Sequence, residues 1–238
     1  MLSGKERRRF EKQIMLPEIG EQGQEAIKLG KVLVIGAGGL GCPALQYLSA
    51  AGTGNIGIVE FDLVNETNIH RQILYGSKDI GKLKSIIAKN ILEKLNDLNT
   101  VEIFNLRLTA ANAERFISLY DIIIDATDNY ETRYVIDSIC AKQGKPMIHG
   151  AIYKNEGQVS VFNYKGSLSY SSYNPFNSDK HRNPAPSDVG LFGMLPGVTG
   201  TLMAVEAVKI MTGIGDVLSD KILIFNIMNN SFKTISLD

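Results

Sequence analysis

Residues Lys31 to Phe61 leave this chain few folds to choose from. Lys31 to Ile35 is a short, β-branched apolar run that stops at Gly36-Ala37-Gly38-Gly39-Leu40-Gly41, and Cys42 to Ala51 then carries apolar residues at helical spacing. Ile56 to Phe61 follows as a second apolar strand. A strand, a glycine-rich turn, a helix and another strand within about thirty residues make a βαβ unit, which predicts parallel strands and a right-handed crossover.

The alternation continues. Ser85 to Leu95 reads as a helix, Val101 to Leu106 as a strand, and Asp121 to Asp125 as a third core strand with an Ile-Ile-Ile centre. A helix near Arg133 to Lys142 and a strand near Pro146 to Ala151 follow. This predicts an α/β fold, a Rossmann-like open, mostly parallel sheet with helices on both faces. Beyond Gly157 the texture changes: Gln158 to Tyr164 reads as a strand, while Lys165 to Asp188 is polar, aromatic and rich in Ser, Asn and Pro, a long loop of the kind that is functional or disordered. A helix from about Val198 to Met211 and a hairpin from Ile222 to Leu237, turning at Asn229-Asn230, extend the sheet with antiparallel strands.

The composition narrows the function. Lys and Arg total 25 and Asp and Glu total 25, so no global field would hold the chain on nucleic acid or an anionic membrane, and any phosphate-binding charge must be local. Cys42 and Cys140 are the two cysteines, too few for a disulfide framework or a four-thiolate zinc site, which favours a reducing compartment. Met1 to Phe10 is too charged for a signal peptide, so a cytoplasmic location is expected. Val189 to Val205 is free of charges but is broken by glycines and Pro196, and falls short of the ~20 apolar residues of a membrane span; it reads as buried core or interface.

Gly36 to Gly41 fits G-x-G-x-x-G, and Glu60 stands 19 residues beyond Gly41 at the end of the next strand. The glycines permit close backbone approach to phosphates at a helix N-terminus, and the acid can accept from ribose hydroxyls. NAD is the default ligand of that fingerprint. Asn68, Arg71 and Gln72 just past the second strand, with Lys84 after them, pull instead toward a nucleoside triphosphate, because cations there can bind its oxygens and the departing pyrophosphate. Asp128, in Asp125-Ala126-Thr127-Asp128-Asn129, lies at the carboxyl edge of the sheet, where it could bridge Mg²⁺ to phosphates; spacing alone equally allows Asp128 or Asn129 to cap the next helix. Gly76 to Leu83 nearly spells a P-loop but ends in Leu83, which has no hydroxyl for Mg²⁺. His70, His149 and His181 lack zinc spacing and read as structural, although His70 adjoins Arg71.

Arg9 to Ile14, the Gly36 to Gly41 turn, Asn68-Ile69-His70-Arg71-Gln72, Lys84, Thr127-Asp128-Asn129, Glu156-Gly157-Gln158-Val159 and Pro196 to Thr201 together closely resemble the ThiF/MoeB/HesA family, bacterial relatives of ubiquitin-activating enzymes. The resemblance spans almost the whole chain. It implies an ATP-dependent adenylyltransferase acting on a ubiquitin-fold sulfur carrier (ThiS- or MoaD-like) that ends in Gly-Gly, with Gly36, Gly38, Gly39 and Gly41 at the phosphates and Glu60 at the ribose. Asp62 and Gln72 join the nucleotide-binding set, Asn68, Arg71 and Lys84 the triphosphate, and Asp128 the Mg²⁺. Arg71, Lys84 and Asp128 are then the catalytic set.

The resemblance also implies one domain over 1–238, with a helical arm over 1–30, a nucleotide-binding half over 31–151 and a carrier-binding half over 152–238 whose crossover loop covers about 165–190. It implies a homodimer in which an N-terminal arginine reaches the partner's nucleotide; Lys12 stands at that position, and Arg9 is the alternative. Ser169 to Ser172 replaces the first zinc-binding Cys pair of many relatives, so no zinc is expected, and Pro186 stands where relatives often carry a crossover-loop cysteine, so sulfur must come from another protein's persulfide. Adenylation of a peptide or tRNA-linked group, an NAD-dependent oxidoreductase and a non-catalytic nucleotide-binding scaffold remain as alternatives.

Overall fold

The computed structural model describes residues 1–176 and 190–237; His181, Pro186 and half of the expected crossover loop lie outside the described residues. The β-branched runs form the strands they predict. β1 (Lys31–Ile35), β2 (Asn55–Val59) and β4 (Ile122–Asp125) are buried along nearly their whole length, as strands covered on both faces must be. With β3 (Thr100–Phe104) and β5 (Met147–Tyr153) they make a parallel sheet in the order β3-β2-β1-β4-β5. β6 (Glu156–Phe162), β7 (Lys221–Asn226) and β8 (Ser231–Ser236) continue it antiparallel, giving eight strands in one sheet.

Side chains alternate across the strands, so Val32 and Val34 of β1 enter one core layer while Leu33 and Ile35 enter the other. The first layer is closed by α4 (Gly41–Ala51), α5 (Lys84–Leu95) and α9 (Leu195–Thr212), the second by α6 (Ala113–Ile117), α7 (Tyr130–Gln143) and α8 (Tyr170–Tyr173). The N-terminal arm folds as α1 (Gly4–Arg9), α2 (Glu11–Ile14) and α3 (Gly20–Leu29). Ser3 and Glu6 form a capping box on α1, and Arg9 pairs with Asp97 at 2.8 Å, tying the arm to the α5–β3 connection.

Several expectations need correcting. β2 ends at Val59, so Glu60 lies one residue past the strand. β5 runs on past Ala151 to Tyr153 and β6 starts at Glu156, before Gln158, so the two strands close in a tight turn at Lys154-Asn155 with Lys154 at φ 52°. α6 and α8 have five and four residues, too short to show a helical period. Within the run from Val189 to Val205, Leu195, Met203 and Ala204 are buried, while Met194, Val198 and Val205 face outward.

Candidate active site

The carboxyl ends of the parallel strands open into a cavity of about 980 Å³. Its floor is the β1–α4 turn. Gly36 adopts φ +96°, a conformation a side chain would strain, and donates its N–H to Val59 O at 2.9 Å. Glu60 closes the turn from β2: one carboxylate oxygen accepts from Ala37 N at 2.9 Å and the other from Phe61 N and Asp62 N at 2.8 and 2.9 Å. Tyr75 donates its hydroxyl to Ala37 O at 2.7 Å from the opposite side. Held this way, the turn leaves the N–H groups of Gly38, Gly39 and Leu40 without an acceptor among the described residues, at the positive end of α4. That is the arrangement of an anion site.

Gly36, Gly38 and Gly39 line the cavity, as do Glu60, Asp62, Asn68, Arg71, Gln72, Lys84 and Asp128. Two expected residues do not. A Cβ on Gly41 would lie 2.0 Å from Gly36 O, so that glycine lets α4 pack on the turn without facing the cavity. Lys12 stands exposed on α2 with Glu11 4.0 Å away, and Arg9 is engaged with Asp97; neither lines the cavity of its own chain.

Lys84 is the first residue of α5, where the macrodipole disfavours a cation. It is nevertheless buried, and its Nζ reaches Asp62 at 3.1 Å. Arg71 donates to Thr67 O at 2.7 Å and meets His70 Nε2 at 2.9 Å; because a guanidinium only donates, that nitrogen must accept. Gln72 is buried with its Oε1 unpartnered among the described residues. At the β4–α7 turn Asn129, and not Asp128, caps α7 by accepting from Thr132 N at 2.9 Å, and Asp128 has no hydrogen bond or ion pair among the described residues. A free carboxylate at the cavity, beside open N–H donors, is a hard oxygen donor of the kind that suits Mg²⁺.

Arg107, Arg133 and Lys154 also line the cavity, and the sequence did not single them out. Each stands alone in the sequence as a cation, and only the fold brings it to the cavity. His70 lines the cavity, whereas His149 is buried beneath it, hydrogen-bonded to Asp125 at 2.7 Å. Burial lowers the His149 pKa against the pull of Asp125, so the imidazole is neutral. Burial by itself would raise Asp125, but the His149 bond and the Arg133 charge outweigh it and hold the carboxyl below its ordinary value. Neither thiol is a nucleophile: burial pushes Cys42 up to about 12 and Cys140 higher still. The P-loop-like stretch forms a single 3₁₀ turn, Ser77–Asp79, with no strand before it.

The family model described as "ThiF family" matches residues 10–238. The chain belongs to the ThiF family. It is 42% identical over 233 residues to the "Sulfur carrier protein adenylyltransferase" of Thermus thermophilus, covering 96% of this chain and 86% of that protein. It is 47% identical over 227 residues to the "Probable molybdopterin-synthase adenylyltransferase" of Porphyra purpurea, covering 94% of this chain but 59% of the relative. The crystal structure of PaaA superposes with a TM-score of 0.85 at 24% identity over 99% of this chain and 75% of its own, a likeness of fold. Among the described residues, no helix is long and apolar enough to cross a membrane.

Proposed function

We propose that this ThiF-family chain is an adenylyltransferase that activates the C-terminal Gly-Gly carboxylate of a ubiquitin-fold sulfur carrier for thiamine thiazole or molybdopterin synthesis. The observation that carries this reading is the meeting in one cavity of three open N–H donors, the cations Arg71 and Lys84, and the unpartnered carboxylate of Asp128. The names of the relatives in Thermus thermophilus and Porphyra purpurea support the same substrate class.

ATP enters with its phosphates over Gly38 to Leu40 and its ribose toward Glu60. Both Glu60 oxygens already accept from the main chain, so a ribose hydroxyl takes their remaining lone pairs. Gln72 Oε1 offers a further buried acceptor. The carrier's carboxylate is ionised at neutral pH and needs no general base. It attacks the α-phosphorus, the bond to the bridging oxygen of the β-phosphate breaks, and pyrophosphate leaves with that electron pair. Arg71 and Lys84 orient the triphosphate and neutralise charge on the leaving group. Mg²⁺, held by Asp128 and the phosphates, would supply further charge neutralisation. The cavity cations Arg71, Lys84, Arg107 and Lys154 suit a triphosphate better than the two linked monophosphates of NAD.

The remaining expectations belong to the same proposal: a cytoplasmic homodimer with Lys12 directed at the partner's nucleotide, no zinc, and sulfur delivered as another protein's persulfide. ATP–pyrophosphate exchange tests the substrate assignment. Exchange is expected with a carrier ending in Gly-Gly and absent when that carrier lacks its last two residues or carries a C-terminal amide; equal exchange with all three would contradict it. ThiS-like and MoaD-like carriers compared by kcat/KM decide between the two pathways.

A further inference from the structure

Beneath Asp128 lies a polar cluster that the adenylation chemistry does not touch. Asp125 ends β4 fully buried, and its Oδ1 accepts from the main-chain N–H of Thr127 at 3.1 Å and from the Thr127 hydroxyl at 2.5 Å. The carbonyl of Thr127 accepts from the Arg133 guanidinium at 2.8 Å. Asp125 Oδ2 accepts a hydrogen bond from His149 Nδ1–H on β5 at 2.7 Å and lies 3.6 Å from Arg133 Nε. Residue 127 is thus gripped by its N–H, its carbonyl and its side chain, and Asn129 on the other side is fixed by capping α7. Between these two anchored residues stands Asp128, whose carboxylate has no partner among the described residues.

The cluster is expensive. Three ionisable groups are taken out of water, and Arg133 Nε is left without a hydrogen bond among the described residues. Apolar residues of similar volume would serve stability as well or better. What such residues would not do is fix the backbone of one particular turn from three directions.

We infer that Asp125, Arg133 and His149 form a positioning cluster, acting through Thr127, that aims the Asp128 carboxylate into the cavity so that a divalent cation arriving with the nucleotide meets a pre-set ligand. The inference rests on the role given to Asp128 above. Outer groups that orient a metal ligand are worth roughly 10–100-fold in metal affinity, and Asp125 and Arg133 stand in that relation to Asp128.

Mn²⁺ binding, followed by the electron paramagnetic resonance of free Mn²⁺ in the presence of α,β-methylene ATP, is the test. Thr127→Val removes the hydroxyl and keeps the shape. It is expected to weaken Mn²⁺ about tenfold, with the metal-free affinity for the analogue and the thermal unfolding midpoint near wild type, and Thr127→Ser is expected to restore binding. Arg133→Lys keeps the buried charge but loses the planar fork; it should weaken Mn²⁺ likewise and serves as the second variant if Thr127→Val does not fold. Wild-type Mn²⁺ affinity in these variants, alongside weakened binding in Asp128→Ala, would overturn the positioning role. Wild-type affinity in Asp128→Ala as well would instead overturn the assignment of Asp128.

Discussion

Lys84→Ala is expected to cut carrier-dependent ATP–pyrophosphate exchange by about 10²–10³-fold in kcat, the loss found when one preorganised group facing transition-state charge is removed. The expectation comes from where the side chain sits. Lys84 is buried at the first residue of α5, against the helix dipole, with its ammonium at the cavity and Asp62 as its partner. Asp62 is half exposed and stays hydrated when the ammonium is lost, so Lys84→Ala strands no buried charge. Charge on pyrophosphate grows as the α-phosphorus bond breaks, so the damage belongs in kcat more than in KM. Arg71→Ala should behave similarly, with a larger rise in KM for ATP, because its side chain sits nearer the solvent-facing rim and orients the triphosphate before reaction. Exchange at wild-type rates in both variants would remove these residues from the mechanism.

Gly41→Ala should be among the most destabilising single-methyl additions in the chain, while Gly197→Ala should cost nothing. A Cβ at residue 41 meets Gly36 O at 2.0 Å and the Gly36 carbonyl carbon at 2.9 Å, both main-chain atoms that cannot swing aside. Either α4 moves off the sheet or the turn opens, an overpacking cost of roughly 1–3 kcal/mol or more. Gly197 lies inside α9 with nothing within 4 Å of a built Cβ, so alanine there should stabilise by roughly 0.5–1 kcal/mol through helix propensity. Urea unfolding midpoints of the two variants check both directions, and equal midpoints would show that the third glycine of the motif is not a packing residue. Because the turn carries the open N–H donors, Gly41→Ala should also weaken ATP binding even though residue 41 lines no part of the cavity.

Gly39 lines the cavity and Gly41 packs α4 on the turn, a difference that the shared motif does not reveal. The strands were legible because β-branched runs such as Val32 to Ile35 and Ile122 to Ile124 end at glycine or acidic punctuation, and α4, α5, α7 and α9 because they are long enough to show a period. The turn motif after β1, and Arg71 and Lys84 after β2, were legible because they match a family pattern. Arg107, Arg133 and Lys154 were not, since each follows a different strand and a single surface-like cation has no signature. The choice between Asp128 and Asn129 as helix cap also needed coordinates: spacing allows both, and the hydrogen bond from Thr132 N goes to Asn129. His149 read as an ordinary core histidine, yet its partner Asp125 lies 24 residues earlier on a neighbouring strand, a pairing that register creates and local sequence does not reveal.

Intact-mass spectrometry of a Gly-Gly-ending carrier, incubated with this chain and Mg-ATP, tests adenylation most directly. The carrier is expected to gain one AMP moiety as pyrophosphate appears, and the gain is expected to form about 10²–10³-fold more slowly with Lys84→Ala. A carrier left unmodified while ATP stays intact, or a phosphorylated carrier formed with release of ADP, would contradict the account.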